Sequence, residues 1–332
     1  MRTAVVLFNL GGPDSLESVE PFLYNLFSDR DIFKLPFGQK IFARVISKLR
    51  ASKIRNAYKL IGGKSPINEW TEIQRAMLEK QTGFDVHTAM RYWKPSIAET
   101  ALIIKNKHYE RIILLPLYPH FSLTTTGSSF NEWNRQFRMD TEEIIVIHEY
   151  ATNPSYIKAL NEHIDETLVQ FPEVLRNEVQ LVFSAHGTPI SLVKKGDPYS
   201  LHINETLTAV MKNRNYSHEY HLCYQSKIGP IEWLGPGVKK MIESLGRKNK
   251  KHLLIIPISF VSDHIETLYE LDILYRKTAH KAGIENYIVM KGLNDSHTFI
   301  QALEDIVLSC HSREGGNPET KFIKTGSPPS RE

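Results

Sequence analysis

Cysteine is nearly absent: Cys223 and Cys310 are the only two in 332 residues. They lie far apart and outside any CxxC spacing, which excludes a disulfide framework and a zinc ribbon and points to a reducing compartment. No apolar run approaches the roughly 20 residues that cross a bilayer. The opening MRTAVVLFNLGG carries one basic residue and an apolar stretch of strand length, too short for a secretory leader, so a cytoplasmic location is expected. Neither HExxH nor GxGxxG occurs. IGGKS at residues 61–65 fails as a phosphate loop, because Tyr58 stands where the first glycine is needed and a helical pattern precedes it. With 41% apolar and 23% charged residues the chain is an ordinary globular protein, long enough for two domains.

Acid is missing from one segment. Nine Lys or Arg and no Asp or Glu lie between Ile32 and Asn68, and without them the rest holds 32 basic against 37 acidic residues. The net charge of +4 is therefore local. Ile41, Val45, Ile46 and Leu49 follow helical spacing there, so residues 30–64 read as a basic, amphipathic helical insertion. Two readings follow: a solvated face over a core-packed helix, or a lip that meets an anionic membrane surface or a substrate's carboxylates. Nucleic acid is not indicated, since no recognised module accompanies the charge.

What is present is alternation. Short apolar runs near residues 4–9, 86–90, 112–117, 144–147, 179–184, 220–224, 253–258 and 287–290 are separated by helical patterns, the signature of parallel sheets covered by helices on both faces. The chain also echoes itself. LFNLGGP resembles LVFSAHGTP at an offset of 176 positions (Pro13 to Pro189), and IILLPLYPHFS resembles LLIIPISFVSD at 141 (Pro116 to Pro257). The difference of 35 is the length of the basic insertion. The expectation is an α/β fold of two similar Rossmann-like domains, residues 1–150 and 151–310, each with a parallel four-stranded sheet flanked by helices. The last helix, 296–309, is expected to dock back on the first domain, and the Gly-, Pro- and Ser-rich residues 311–332 to be a disordered tail.

Ligands of open parallel sheets bind beyond the carboxyl ends of the strands. His186, after one apolar run, and Asp263, Glu266 and Glu270, after another, fall there. Read as an α-helix, the i, i+3, i+7 spacing sets the three carboxylates on one face. A neutral imidazole accepts protons or ligates a borderline cation, and carboxylates hold a hydrated divalent ion weakly. The plainer reading is a D-x-x-E capping box formed by Asp263 and Glu266, with His186 an ordinary loop residue.

SAHGTP (184–189), SDHIETLYELD (262–272) and QSKIGPIEWLGP (225–236) resemble ferrochelatase, and the resemblance runs from Ala4 to about Leu308. It implies a chelatase-like fold and insertion of ferrous iron into protoporphyrin IX between the domains. His186 and Glu266 would be the metal and catalytic residues, facing each other across the ring, with His186 leaning towards proton acceptor and Asp263 and Glu270 forming a metal or proton path. Tyr118, Thr124, Arg91, Tyr92 and Trp233 match positions of the porphyrin cleft. No cofactor beyond the substrate iron is implied. An iron–sulfur cluster is not, because Leu123 stands where one cysteine ligand would lie. A chelatase for coproporphyrin or cobalt, and a porphyrin or haem carrier without chemistry, stay open as alternatives, as do the oligomeric state and peripheral contact with the inner membrane surface.

Overall fold

The computed structural model describes residues 2–137, 143–226 and 231–311; the expected tail lies outside them except for His311. The first half runs β1 (Thr3–Asn9), α1 (Val19–Ser28), α2 (Gln39–Lys59), α3 (Ile67–Thr82), β2 (Asp85–Met90), α4 (Ile97–Lys107), β3 (Arg111–Pro116), α5 (Thr126–Gln136) and β4 (Glu143–Val146). The second runs α6 (Pro154–Leu168), a 3-10 turn (Glu173–Glu178), β5 (Gln180–His186), α7 (Ile190–Lys194), α8 (Tyr199–Asn213), β6 (Tyr220–Gln225), α9 (Val238–Arg247) and β7 (His252–Ile256). It ends with a π-helix (Glu266–Leu274), α10 (Tyr275–Lys281), β8 (Asn286–Val289) and α11 (His297–His311).

All eight expected strands form, in two parallel sheets of identical order, β2-β1-β3-β4 and β6-β5-β7-β8. The internal echo survives at the level of register. Offsets of 176 and 141 carry the pair Leu7↔Leu115 onto Phe183↔Ile256, and both are observed neighbours.

The strands read as unbroken apolar runs because both faces are covered. In β1, Val5 and Leu7 face one cluster while Ala4, Val6 and Phe8 face another with Phe130 and Trp133 of α5, as the two-residue strand period requires. The first of these clusters is continuous between the sheets: Leu7 and Leu115 share it with Phe183 and Ile256, through Tyr156 and Leu160 of α6, Leu207 of α8 and Phe299 and Leu303 of α11. The halves are thus built as repeats but packed over one shared core. The last helix contributes directly, lying against both α3 and α6.

The basic insertion docks differently from its sequence pattern. Ala43, Ser47, Ala51, Ala57 and Tyr58 are the buried residues of α2, and Ala43 and Ala51 join Phe22, Leu23 and Phe27 of α1. Small side chains let the two helices approach closely, so the larger apolar residues stay outside: Phe37, Ile41, Val45 and Leu49 are 91, 73, 53 and 73% exposed. Of the residues expected on the packed face, only Ile46 turns inward.

GGP at residues 11–13 forms the turn out of β1, as a strand-to-helix turn should. Gly12 is laced to the start of α3: its N–H donates to Asn68 Oδ1 (3.0 Å), its carbonyl accepts from Asn68 Nδ2 (2.7 Å), and Ser65 N–H donates to the Pro13 carbonyl (2.8 Å). A Cβ on Gly12 would lie 2.5 Å from Ser65 Cβ. Gly12→Ala should therefore cost about 1–3 kcal/mol, the usual penalty of overpacking, read as a lower midpoint in denaturant unfolding; an unchanged midpoint would show that the turn has slack.

Candidate active site

The carboxyl ends of β5, β6 and β7 place the two most prominent sequence candidates in contact. His186 is the last residue of β5, paired in register with Gln225 of β6. Its backbone N–H donates to Ser259 Oγ (3.0 Å) just beyond β7. Next to it, Gly187 donates to the Gln225 carbonyl (2.8 Å), and a Cβ there would lie 2.5 Å from that oxygen. Only glycine lets the chain turn away so near a neighbouring strand.

His186 Nδ1 lies 2.9 Å from Glu266 Oε2. An ionised carboxylate only accepts, so Nδ1 carries the shared proton and Nε2 is left as the lone-pair nitrogen. The imidazole is partly open to solvent and the carboxylate less so. Burial works against the imidazolium, but the charge and hydrogen bond of Glu266, with Glu270 behind, outweigh it and lift His186 above the ordinary 6.5. Burial would likewise raise Glu266, and His186, assisted by His264 and Ser226, holds it well below the usual carboxylate range.

Glu270 stands at the far end of this pair. Burial and the negative charge of Glu266 push it above the usual range, against bonds from Ser226 and Tyr275. Ser226 Oγ lies 3.1 Å from Glu266 Oε2 and 2.7 Å from Glu270 Oε2. The Ser226 hydroxyl can give its proton to either carboxylate, and so joins the two. Two acids with opposite displacements, joined by a hydroxyl, form a path along which a proton can move away from His186.

Glu266 to Leu274 form a π-helix, not the expected α-helix. Glu266 and Glu270, four apart on it, lie on one face as they would in an α-helix, and both reach Ser226. Asp263 does not join them, which corrects the expectation of three carboxylates on one face. It is buried before the helix, where its Oδ1 accepts from Thr267 Oγ1 (2.9 Å) and Gly292 N–H (3.1 Å) and its Oδ2 from Asn294 Nδ2 (2.8 Å). The capping box is not formed either, since the Asp263 carboxylate takes Thr267 and the Glu266 carboxylate takes His186.

A second correction concerns the ring. At 2.9 Å, His186 and Glu266 leave no space for a macrocycle between them. They present their chemistry from one side.

Of the remaining candidates, Arg91, Tyr92, Tyr118 and Thr124 sit at or near the equivalent edge of the first sheet, and Trp233 lies in the second half. Arg91, just past β2, is mostly buried and pairs with Asp29 (3.0 Å) while donating to Ser128 Oγ (2.7 Å). Tyr92 is buried and donates to the same Asp29 oxygen (2.6 Å), so its ring and hydroxyl hold that carboxylate in place. Tyr118 follows β3, half-buried; burial pushes its phenol up, against Ser129 and the Arg91 charge. Thr124 is half-buried, with its hydroxyl 3.1 Å from that of Ser122, which donates to Asp197 of the second half (2.8 Å). The hydroxyls there do not cap α5: Thr125, at its start, makes no side-chain cap bond. Trp233 is half-buried and bridged to Pro189, two residues beyond Gly187. The edges of the two halves meet where Ile265, directly before Glu266, packs into the cluster containing Tyr58, Tyr92 and Leu10.

Four contributors escaped the sequence reading. Ser226 stands one residue beyond β6, where the same strand-end rule that found His186 would have placed it. Phe260 sets its ring edge-on to His186 at 6.2 Å, and His264 packs on Phe260 at 4.6 Å. Asp29 had no sequence signal. A cavity of about 940 Å³ lies at the opposite end of β5, β6 and β7, among Tyr216, His218, Lys250 and His252, away from the His186 pair.

If Glu266 is what strengthens the imidazole, Glu266→Gln should lower the His186 pKa towards or below the ordinary value, because the attraction for the imidazolium is removed while burial persists. An NMR titration of the ring protons reads this directly, and an unmoved midpoint would refute the assignment.

Comparison with known proteins agrees with this geometry. The ferrochelatase family model matches residues 2–310. Among similar proteins, "Ferrochelatase" of Geotalea uraniireducens is 47% identical over 319 residues, covering 94% of this chain and 99% of its own. That of Aquifex aeolicus is 47% identical over 312 residues, covering 92% and 99%. Among solved structures, SirB from Bacillus subtilis with Fe3+ superposes with a TM-score of 0.57 at 11% identity, covering 94% of this chain and 96% of that one, a likeness of fold. The twofold sheet arrangement, the His186–Glu266 pair and the nearly full-length match together make this chain a member of the ferrochelatase family.

Proposed function

We propose that this chain inserts ferrous iron into protoporphyrin IX, yielding protohaem. The observation that carries the reading is the His186–Glu266 pair, half-open to solvent at the strand ends, with Ser226 and Glu270 leading away.

Metallation of a porphyrin requires two pyrrole N–H protons to leave and a hydrated ferrous ion to lose water. Nε2 of His186 is the acceptor for the first need, made more basic by Glu266 and held in one tautomer by it. Protons then pass through Glu266 and Ser226 to Glu270. Among the described residues no three or more His, Cys, Asp or Glu are grouped to hold a metal, so the pair offers the ion at most a loose imidazole and carboxylate. Loose holding suits an ion that must be handed to four nitrogens. Tyr118, Thr124, Arg91 and Trp233 supply the macrocycle side, with Tyr92 and Asp29 fixing Arg91.

Anaerobic Fe²⁺ with protoporphyrin should give a haem spectrum with wild type, and rates reduced by about 10²-fold or more with His186→Ala or Glu266→Ala, as loss of a general base requires. Zinc, followed by loss of free-porphyrin fluorescence, gives the same ranking. Faster insertion into coproporphyrin would replace the substrate, whereas tight porphyrin binding without metallation would make the protein a carrier.

Peripheral membrane contact from a cytoplasmic location belongs to the same reading. Its support is the exposed row Phe37, Ile41, Val45 and Leu49, spaced four apart, with Lys40, Arg44 and Lys48 beside it. No helix among the described residues is long and apolar enough to cross a membrane. The protein should sediment with anionic vesicles at low salt and less at high salt, more weakly after Ile41→Ser with Leu49→Ser. Indifference to lipid charge would remove the proposal.

A further inference from the structure

A row of polar side chains runs along α3 at three-residue spacing: Asn68, Thr71 and Gln74. The last two are completely buried. Asn68 holds both polar groups of the Gly12 backbone, and Thr71 Oγ1 accepts from Asn9 Nδ2 (2.8 Å), so the first two secure the loop at the carboxyl end of β1. Gln74 reaches the other way. Its Nε2 donates to the Asn294 carbonyl (2.7 Å) and to Ser262 Oγ (3.1 Å), 220 and 188 positions along the chain.

Ser262 belongs to the segment from which the π-helix departs, and Asn294, in the loop before α11, is bonded to that segment. Asn294 N–H donates to the Val261 carbonyl (2.9 Å), Asn294 Oδ1 accepts from Asp263 N–H (2.9 Å), and Asn294 Nδ2 donates to Asp263 (2.8 Å). Asn294 itself adopts a left-handed conformation, φ 39°. Residues 261–263 are thus clamped between the loop before α11 and a helix of the first half, three residues ahead of Glu266.

A buried amide in an otherwise apolar core adds little net stability, because each bond replaces one made to water. What such a group contributes is a unique arrangement, since any other leaves polar atoms unpaired. Here the arrangement relates the strand-end loop of the first half to the foot of the helix that bears Glu266. We propose that Gln74 is a positioning residue for metal insertion, setting where Glu266 stands relative to His186 and to the first-half cleft. This rests on the proposed function, but one consequence does not: loosening the clamp should also weaken the His186–Glu266 bond.

Gln74→Met preserves length and volume and removes the hydrogen bonds. Well below its unfolding midpoint, the variant should lose at least about tenfold in kcat for zinc insertion, the scale of a sub-ångström misplacement. The KM for zinc and the Kd for protoporphyrin should stay within about threefold, and the His186 pKa by NMR should fall towards its ordinary value. Ser262→Ala removes the contacts to Ser262 and leaves the bond to the Asn294 carbonyl, so it should shift both readouts in the same direction by less, with the double variant no worse than Gln74→Met. If Gln74→Met does not fold, Ser262→Ala decides alone. Wild-type kcat and an unmoved His186 pKa in a folded variant, even with a lowered midpoint, would overturn the proposal. A wild-type protein that inserts no metal would overturn the function, while the His186 titration would still decide the clamp.

Discussion

The 2.9 Å contact between His186 and Glu266 is the interaction on which the site depends. It fixes the tautomer, raises the imidazole's basicity and lowers the carboxylate's. In the proposed reaction it would set both groups on one side of the ring. A base lifted above the ordinary imidazole value is suited to receive a pyrrole proton, and an acid displaced the other way, one hydroxyl beyond, is suited to pass a proton outward.

That contact is assembled from separate parts of the chain, and the fold explains why it holds. His186 ends a central strand, buried on both sides and braced by Ser259 and Gln225. Glu266 begins a helix whose foot is pinned to the Asp263–Asn294 network and, through Gln74, to the opposite half. The shared core between the sheets packs the two repeats against one another. The repeats have diverged in chemistry. The same offsets that align the strands carry His186 onto Leu10 and Glu266 onto Thr125, so one strand-end crevice keeps the His186–Glu266 pair, and all but Trp233 of the residues matching the macrocycle cleft lie in the other half.

Strands were legible because a doubly covered parallel sheet demands continuous apolar runs, and the two offsets were legible because topology and register repeat. His186 and Glu266 could be read as partners since both follow such runs. Other features depend on contacts that no local pattern encodes. The π-helix over residues 266–274 is one of them, since the spacing of four between Glu266 and Glu270 reads equally as α-helical. Asp263 looked like a third member of an acidic face and proved to be a buried bracket. In α2, Ile41, Val45 and Leu49 have the spacing of a packed stripe, yet Ala43, Ser47 and Ala51 allow the closer approach and win the interface. Asp29 and Gln74, each buried with several bonds, have no motif at all.

The central claim is that the imidazole and the carboxylate act as one hydrogen-bonded unit from a single face of the macrocycle. A crystal structure with free-base porphyrin bound tests it most directly. The account predicts the ring lying to one side of the His186–Glu266 pair, with Nε2 the nearer nitrogen and the 2.9 Å contact preserved. A ring inserted between the two side chains, with that contact broken, would contradict it.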